Sequence, residues 1–120
     1  MTGFLNIFKP EGMSSAQAVN KAKWLTRTPC GHMGTLDPLA CGILPVGVGN
    51  ATRLFDYFLS KKKTYVARFT FGATTETLDR EGEIVRGGAV PTAARIEEAL
   101  PAFVGEIAQI PPKYSALSVG

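Results

Sequence analysis

The chain has 120 residues, 45% of them hydrophobic and 19% charged, an ordinary balance for one globular domain, which at this size buries roughly two-thirds of its unfolded surface. No apolar run reaches the ~18–20 residues that cross a bilayer, and MTGFLNIFKPEG lacks the basic-then-apolar pattern of a secretory leader. A cytoplasmic protein with Cys30 and Cys41 as reduced thiols is expected.

The net charge of +3 is unevenly spread. Residues 1–68 carry nine Lys or Arg against three acids, and residues 69–120 carry four against seven. A basic half of this kind suits a phosphate backbone, although a solvated basic face is the commoner explanation.

In chain order, Leu5–Phe8 reads as a short strand ended by Pro10 and Gly12. Ser14 and Gln17 form an S-x-x-Q capping pattern that opens a helix, with Ala18, Ala22 and Leu25 at inward spacing. Thr28–Pro38 has no periodicity and reads as a loop. Ile43–Val48 is apolar and β-branched, a buried strand in which Pro45 predicts an edge or a bulge. Asn50 is the expected N-cap of a second helix, with Ala51, Leu54 or Phe55, and Phe58 inward. Lys61, Lys62 and Lys63 follow as a solvated end that complements the helix dipole.

Tyr65–Phe71 alternates cleanly and predicts a strand with Tyr65, Ala67, Phe69 and Phe71 on one face. The stretch to Gly82 is a loop, and Glu83–Val85 a short strand. Thr92 starts a helix with Ile96, Ala99 or Leu100, and Phe103 inward. Tyr114–Val119 is strand-like after the stiff Pro111–Pro112 pair. The order of elements predicts an α/β or α+β sheet protein without repeats or an interdomain linker.

The chemistry concentrates in Gly31–Gly42, GHMGTLDPLACG, where one carboxylate, Asp37, stands among glycines, a lone histidine and a proline, and is expected to be buried. Pro38 biases Asp37 toward extended backbone, so the carboxylate is held at a fixed angle. Taken alone, Asp37 also fits a turn aspartate, His32 a satisfied loop histidine and Tyr65 a core aromatic. Cys30 and His32 fall short of the three or four ligands zinc takes, so no metal site is expected.

This segment resembles the GHxGTLDPxAxG motif of the TruB-type tRNA pseudouridine synthases, whose aspartate is catalytic. Phe8–Ser15 (FKPEGMSS) is similar to the family's KPxGxxS run, Gly49–Arg53 (GNATR) to GxATK/R, and Lys63–Tyr65 to K-x-Y. Gly72–Gly82 (GATTETLDREG) fits GxxTxTxDxxG, and Phe103–Ala116 (FVGEIAQIPPKYSA) fits FxGxxxQxPPxYSA. The chain departs from the family at Cys41, where threonine or serine is common, and near Ser118, where a basic residue is usual.

The resemblance implies the pseudouridine synthase fold, a mixed, largely antiparallel sheet with flanking helices, here residues 1–120 as the N-terminal part of the catalytic domain. It implies isomerisation of uridine 55 in the tRNA T-loop by base flipping. Asp37 is then the nucleophile, Tyr65 the stacking platform for the flipped base, and His32 a contact that holds the loop open. Lys9 and Pro10 brace the catalytic loop. The implied partner is the T-arm of tRNA, with no cofactor, no membrane and a monomeric full-length protein.

In the family the rest of the catalytic domain carries an arginine that pairs with the aspartate, and a small RNA-binding domain often follows. Neither lies within these residues, so the segment by itself is expected to form no measurable pseudouridine. Two other readings stay open: a guide-dependent relative, and an RNA-binding chain without turnover.

Overall fold

Ser14 and Gln17 close a reciprocal capping box: the Gln17 N–H donates to the Ser14 hydroxyl (3.1 Å) and the Ser14 N–H to the Gln17 side chain (2.9 Å). From that cap runs helix α1, Ser15–Thr26, which ends at Arg27 in the left-handed region. The computed structural model describes residues 1–111, in two compact units, Met1–Thr64 and a second from Tyr65 onward. The expected strand at Tyr114–Val119 lies outside the described residues.

In the first unit, β1 (Gly3–Lys9), β2 (Cys30–His32) and β3 (Gly42–Val48) form an antiparallel sheet in the order β1-β3-β2. Its register pairs Gly3 with Val48 and Lys9 with Gly42 on one side, and Cys30 with Val48 on the other. Successive β3 residues face opposite sides. Leu44, Val46 and Val48 join Ala18, Val19, Ala22 and Cys30 in the core beneath α1. The inward stripe leaves the expected line at its last turn: Leu25 is exposed, while Thr26 is half-buried and donates to the Ala22 carbonyl (2.8 Å).

In the sheet itself two further expectations are corrected. Cys30–His32 is a strand and not loop, because Met33 and the residues before it find free backbone on β3. Pro45 sits in the central strand and marks neither edge nor bulge. The Met33 N–H donates to the Pro45 carbonyl (2.8 Å), so the missing Pro45 N–H points to the β2 side, where the ladder stops at the His32–Val46 pair.

The helix expected from Asn50 begins instead as a 3₁₀ segment, Gly49–Leu54, preceded by Val48, which makes no side-chain cap bond, and continues as α2, Phe55–Leu59. The Gly49 N–H is taken by the Pro29 carbonyl (2.7 Å) and its own carbonyl accepts from the Thr52 hydroxyl (3.0 Å), which starts the turn a residue early. Ala51 is buried, Phe55 and Phe58 are half-buried, and Leu54 is exposed. The Phe58 ring lies 5.4 Å from that of Phe4.

The second unit holds a two-residue hairpin, β4 (Ala73–Thr74) with β5 (Val85–Arg86), then α3 (Ala93–Ala99) and a 3₁₀ turn, Leu100–Phe103. Thr92 caps α3 as expected, its hydroxyl accepting from the Arg95 N–H (3.2 Å). Of the residues expected inward, Ile96 is half-buried and Ala99, Leu100 and Phe103 are exposed. The expected strand at Tyr65–Phe71 is absent: alternation assigns two faces, but no described segment pairs with this backbone, and a strand needs a ladder.

The GATTETLDREG stretch folds onto Asp79. The Thr77 hydroxyl (2.7 Å) and the Glu81 N–H (2.8 Å) donate to its carboxylate, and the Thr75 hydroxyl (2.5 Å) to its backbone carbonyl. These bonds, led by that of Thr77, hold the Asp79 carboxyl below its ordinary 3.8. A depressed carboxyl pKa contributes order above the ordinary value that is lost as pH falls through the folded one. In a carbon-detected NMR titration Asp79 is expected to protonate below 3.8, and Thr77→Val to move the midpoint upward.

Gly47 supplies the test of the sheet. A Cβ there would stand 2.6 Å from the Met33 side chain and 3.2 Å from the Thr52 backbone nitrogen, so Gly47→Ala is expected to lower unfolding stability by roughly 1–3 kcal/mol in a denaturant titration.

Candidate active site

Three residues of one short segment hold the loop around Asp37. Lys9 ends β1 and is fully buried. Its ammonium donates to the carbonyls of Pro10 (2.9 Å), Met13 (2.6 Å) and Ala40 (2.5 Å). Gly12, at φ +87, donates its N–H to the Pro38 carbonyl (2.7 Å). Only glycine takes that φ without strain, so the turn and the bond come together. Ser15 donates its hydroxyl to the Leu36 carbonyl (2.8 Å) and accepts from the Leu36 N–H (2.9 Å).

The loop is thus tied at Leu36, Pro38 and Ala40, and the Ala40 N–H closes a turn on the Asp37 carbonyl (2.9 Å). Between those ties the Asp37 side chain is exposed, contrary to the buried position expected from its glycine-rich setting. The reason is geometric: the neighbouring backbone is turned inward to its partners, which leaves residue 37 facing out. Among the described residues no side chain pairs with its carboxylate. A carboxylate on rigid backbone without a partner is available as a nucleophile or a base.

His32 closes β2 opposite Val46, and its Nδ1 is buried without a hydrogen-bond partner among the described residues. An unpaired buried ring nitrogen is costly unless something supplies its bond. Lys63 brings its ammonium over Gly34, where a Cβ would stand 3.0 Å from the Nζ. Asp37 and His32 both belong to the first unit. Tyr65 opens the second and is 62% exposed. Among the described residues no group of three or more His, Cys, Asp or Glu is arranged to hold a metal ion, and no helix is long and apolar enough to cross a membrane.

The bracing by Lys9 agrees with its expected role. The anchoring bonds of Gly12 and Ser15 go beyond the sequence reading: the spacing of KPEGMSS carries both residues but does not show which part of the loop each bonds.

The loop thus presents one exposed carboxylate on backbone tied at both sides. Residues 22–120 match the family described as TruB family pseudouridylate synthase, N-terminal domain, and the chain belongs to that family. It is 51% identical to a protein of Clostridium kluyveri and 46% identical to one of Clostridium acetobutylicum, each named tRNA pseudouridine synthase B, over 99% of this chain and 42% of each relative. A third protein of that name, from Gloeothece citriformis, is 49% identical over the whole chain and 40% of its own length. The chain therefore spans about two-fifths of the length of these relatives.

Removing the Lys9 ammonium would leave three carbonyls unsatisfied at once. Lys9→Met is expected to cost roughly 2–4 kcal/mol in unfolding free energy, read from urea midpoints, with the loss of order greatest around Ala40.

Proposed function

We propose that this chain carries the catalytic aspartate of a tRNA pseudouridine synthase that isomerises uridine 55 of the T-loop. Uracil is detached from its ribose, turned, and rejoined through carbon, so no atom is gained or lost and no cofactor is needed. A base inside a folded RNA loop must first leave its stack, at a cost of a few kcal/mol. Asp37 is the nucleophile that holds the severed intermediate covalently. Tyr65 stacks on the flipped base, a contact of roughly 1–3 kcal/mol, and His32 contacts the opened RNA. The substrate is the T-arm of a cytoplasmic tRNA, and residues 1–120 are the N-terminal part of the catalytic domain of a monomeric enzyme.

The observation that carries this reading is the open Asp37 carboxylate on backbone tied at both sides, within a twelve-residue run that matches the family's catalytic motif. The excess of Lys and Arg in residues 1–68 supports an RNA partner.

In the full-length protein bearing this segment, Asp37→Asn is expected to abolish tritium release from uridine-labelled tRNA while leaving tRNA binding within about tenfold, because the amide keeps the shape and loses the charge. Retained turnover would remove Asp37 from this role. Tyr65→Phe is expected to keep much of the activity and Tyr65→Ala to lose most of it. If neither change affects turnover, the stacking role is wrong.

A further inference from the structure

Ser15 is 4% exposed and is the first residue of α1, yet its hydroxyl turns to the loop and not to its own helix. Both its donor and an acceptor lone pair go to a single residue, Leu36, at 2.8 and 2.9 Å. A hydroxyl engages the N–H and the C=O of one residue together only when that residue stands opposite it in extended backbone, so the pair fixes where Leu36 lies and how it is turned. Leu36 directly precedes Asp37. On the other side, the Pro38 carbonyl is fixed by Gly12. The backbone entering and leaving Asp37 is therefore set from outside the loop: Ser15 takes both main-chain polar groups of Leu36, whose side chain packs against the core.

We infer that Ser15 is a positioning residue for the reaction at Asp37: through Leu36 it sets the angle at which the carboxylate meets the substrate, without touching the substrate itself. This rests on the reading of Asp37 as the nucleophile. Lys9 acts on Ala40, three residues after Asp37, and its loss threatens the fold. Ser15 acts on the adjoining residue, where a small rotation of the backbone displaces a reacting oxygen most. Misplacement on the order of 1 Å costs about a hundredfold in rate.

The test compares Ser15→Ala, Ser15→Cys and Ser15→Thr with Gln17→Ala in the full-length protein bearing this segment. Gln17 belongs to the same helix end, and its capping bonds go to Ser14 and not to the loop. Ser15→Ala and the nearly isosteric Ser15→Cys are expected to lower kcat by roughly 10- to 100-fold, with tRNA Kd changed by less than about twofold, and to speed exchange of the Leu36 amide. Ser15→Thr, which keeps the hydroxyl, restores most of kcat. Gln17→Ala weakens the helix cap but leaves both kcat and Leu36 exchange as in the parent.

Parental kcat in both Ser15→Ala and Ser15→Cys overturns the proposal, and if Ser15→Ala does not fold, parental kcat in Ser15→Cys alone does so. Equal losses in Gln17→Ala and Ser15→Ala also overturn it, since they mark general loosening of α1. Asp37→Asn in the same assay separates the two levels: if it retains turnover, the nucleophile assignment fails along with the inference, whereas if it is dead and the Ser15 variants are normal, only the inference fails.

Discussion

A fully buried ammonium must be surrounded by acceptors, and at Lys9 those acceptors are three main-chain carbonyls instead of a carboxylate. They belong to Pro10, Met13 and Ala40, so one point joins the end of β1, the turn into α1 and the far side of the Asp37 loop. None of these parts can shift without stranding a charge away from water. Gly12 and Ser15 add their own bonds within that frame, to Pro38 and to Leu36.

The sheet provides the second level of order. β3 is covered on both sides, by α1 over Leu44, Val46 and Val48 and by the 3₁₀ segment over Gly47, which is why this central strand requires a glycine at 47. With its hydrophobic contacts on one side of the unit and its carbonyl clamp at one end, the unit separates the groups that hold it together from the group that reacts. Asp37 makes none of the packing contacts and needs none. The unpaired Nδ1 of His32 is the exception, a polar atom inside the unit whose partner the described residues do not contain.

What the amino-acid string disclosed was whatever depends on neighbours in sequence. The Ser14–Gln17 box and the Thr92 cap were readable because the bonding residues lie three apart. The central position of Pro45 was hidden because its missing N–H matters only on the side where β2 happens to end. Asn50 resembled a cap, but Pro29, twenty residues away along the chain, had claimed Gly49. Tyr65–Phe71 has the alternation of a strand, and alternation says nothing about a pairing partner. Asp37 was recognisable by its motif, whereas its exposure followed from bonds made by residues 12 and 15, which spacing alone does not reveal.

The distances along the chain also bear on the order in which the molecule is made. Every group that ties the Asp37 loop lies between Lys9 and Ala40, and the sheet beneath it is complete once Val48 pairs with Gly3. Protein emerges from the ribosome N-terminal end first, and compact units form as they become available. The loop therefore has all of its anchors before Tyr65 has been synthesised. A nascent chain that has cleared the exit tunnel as far as Val48 therefore already holds every residue that anchors the loop.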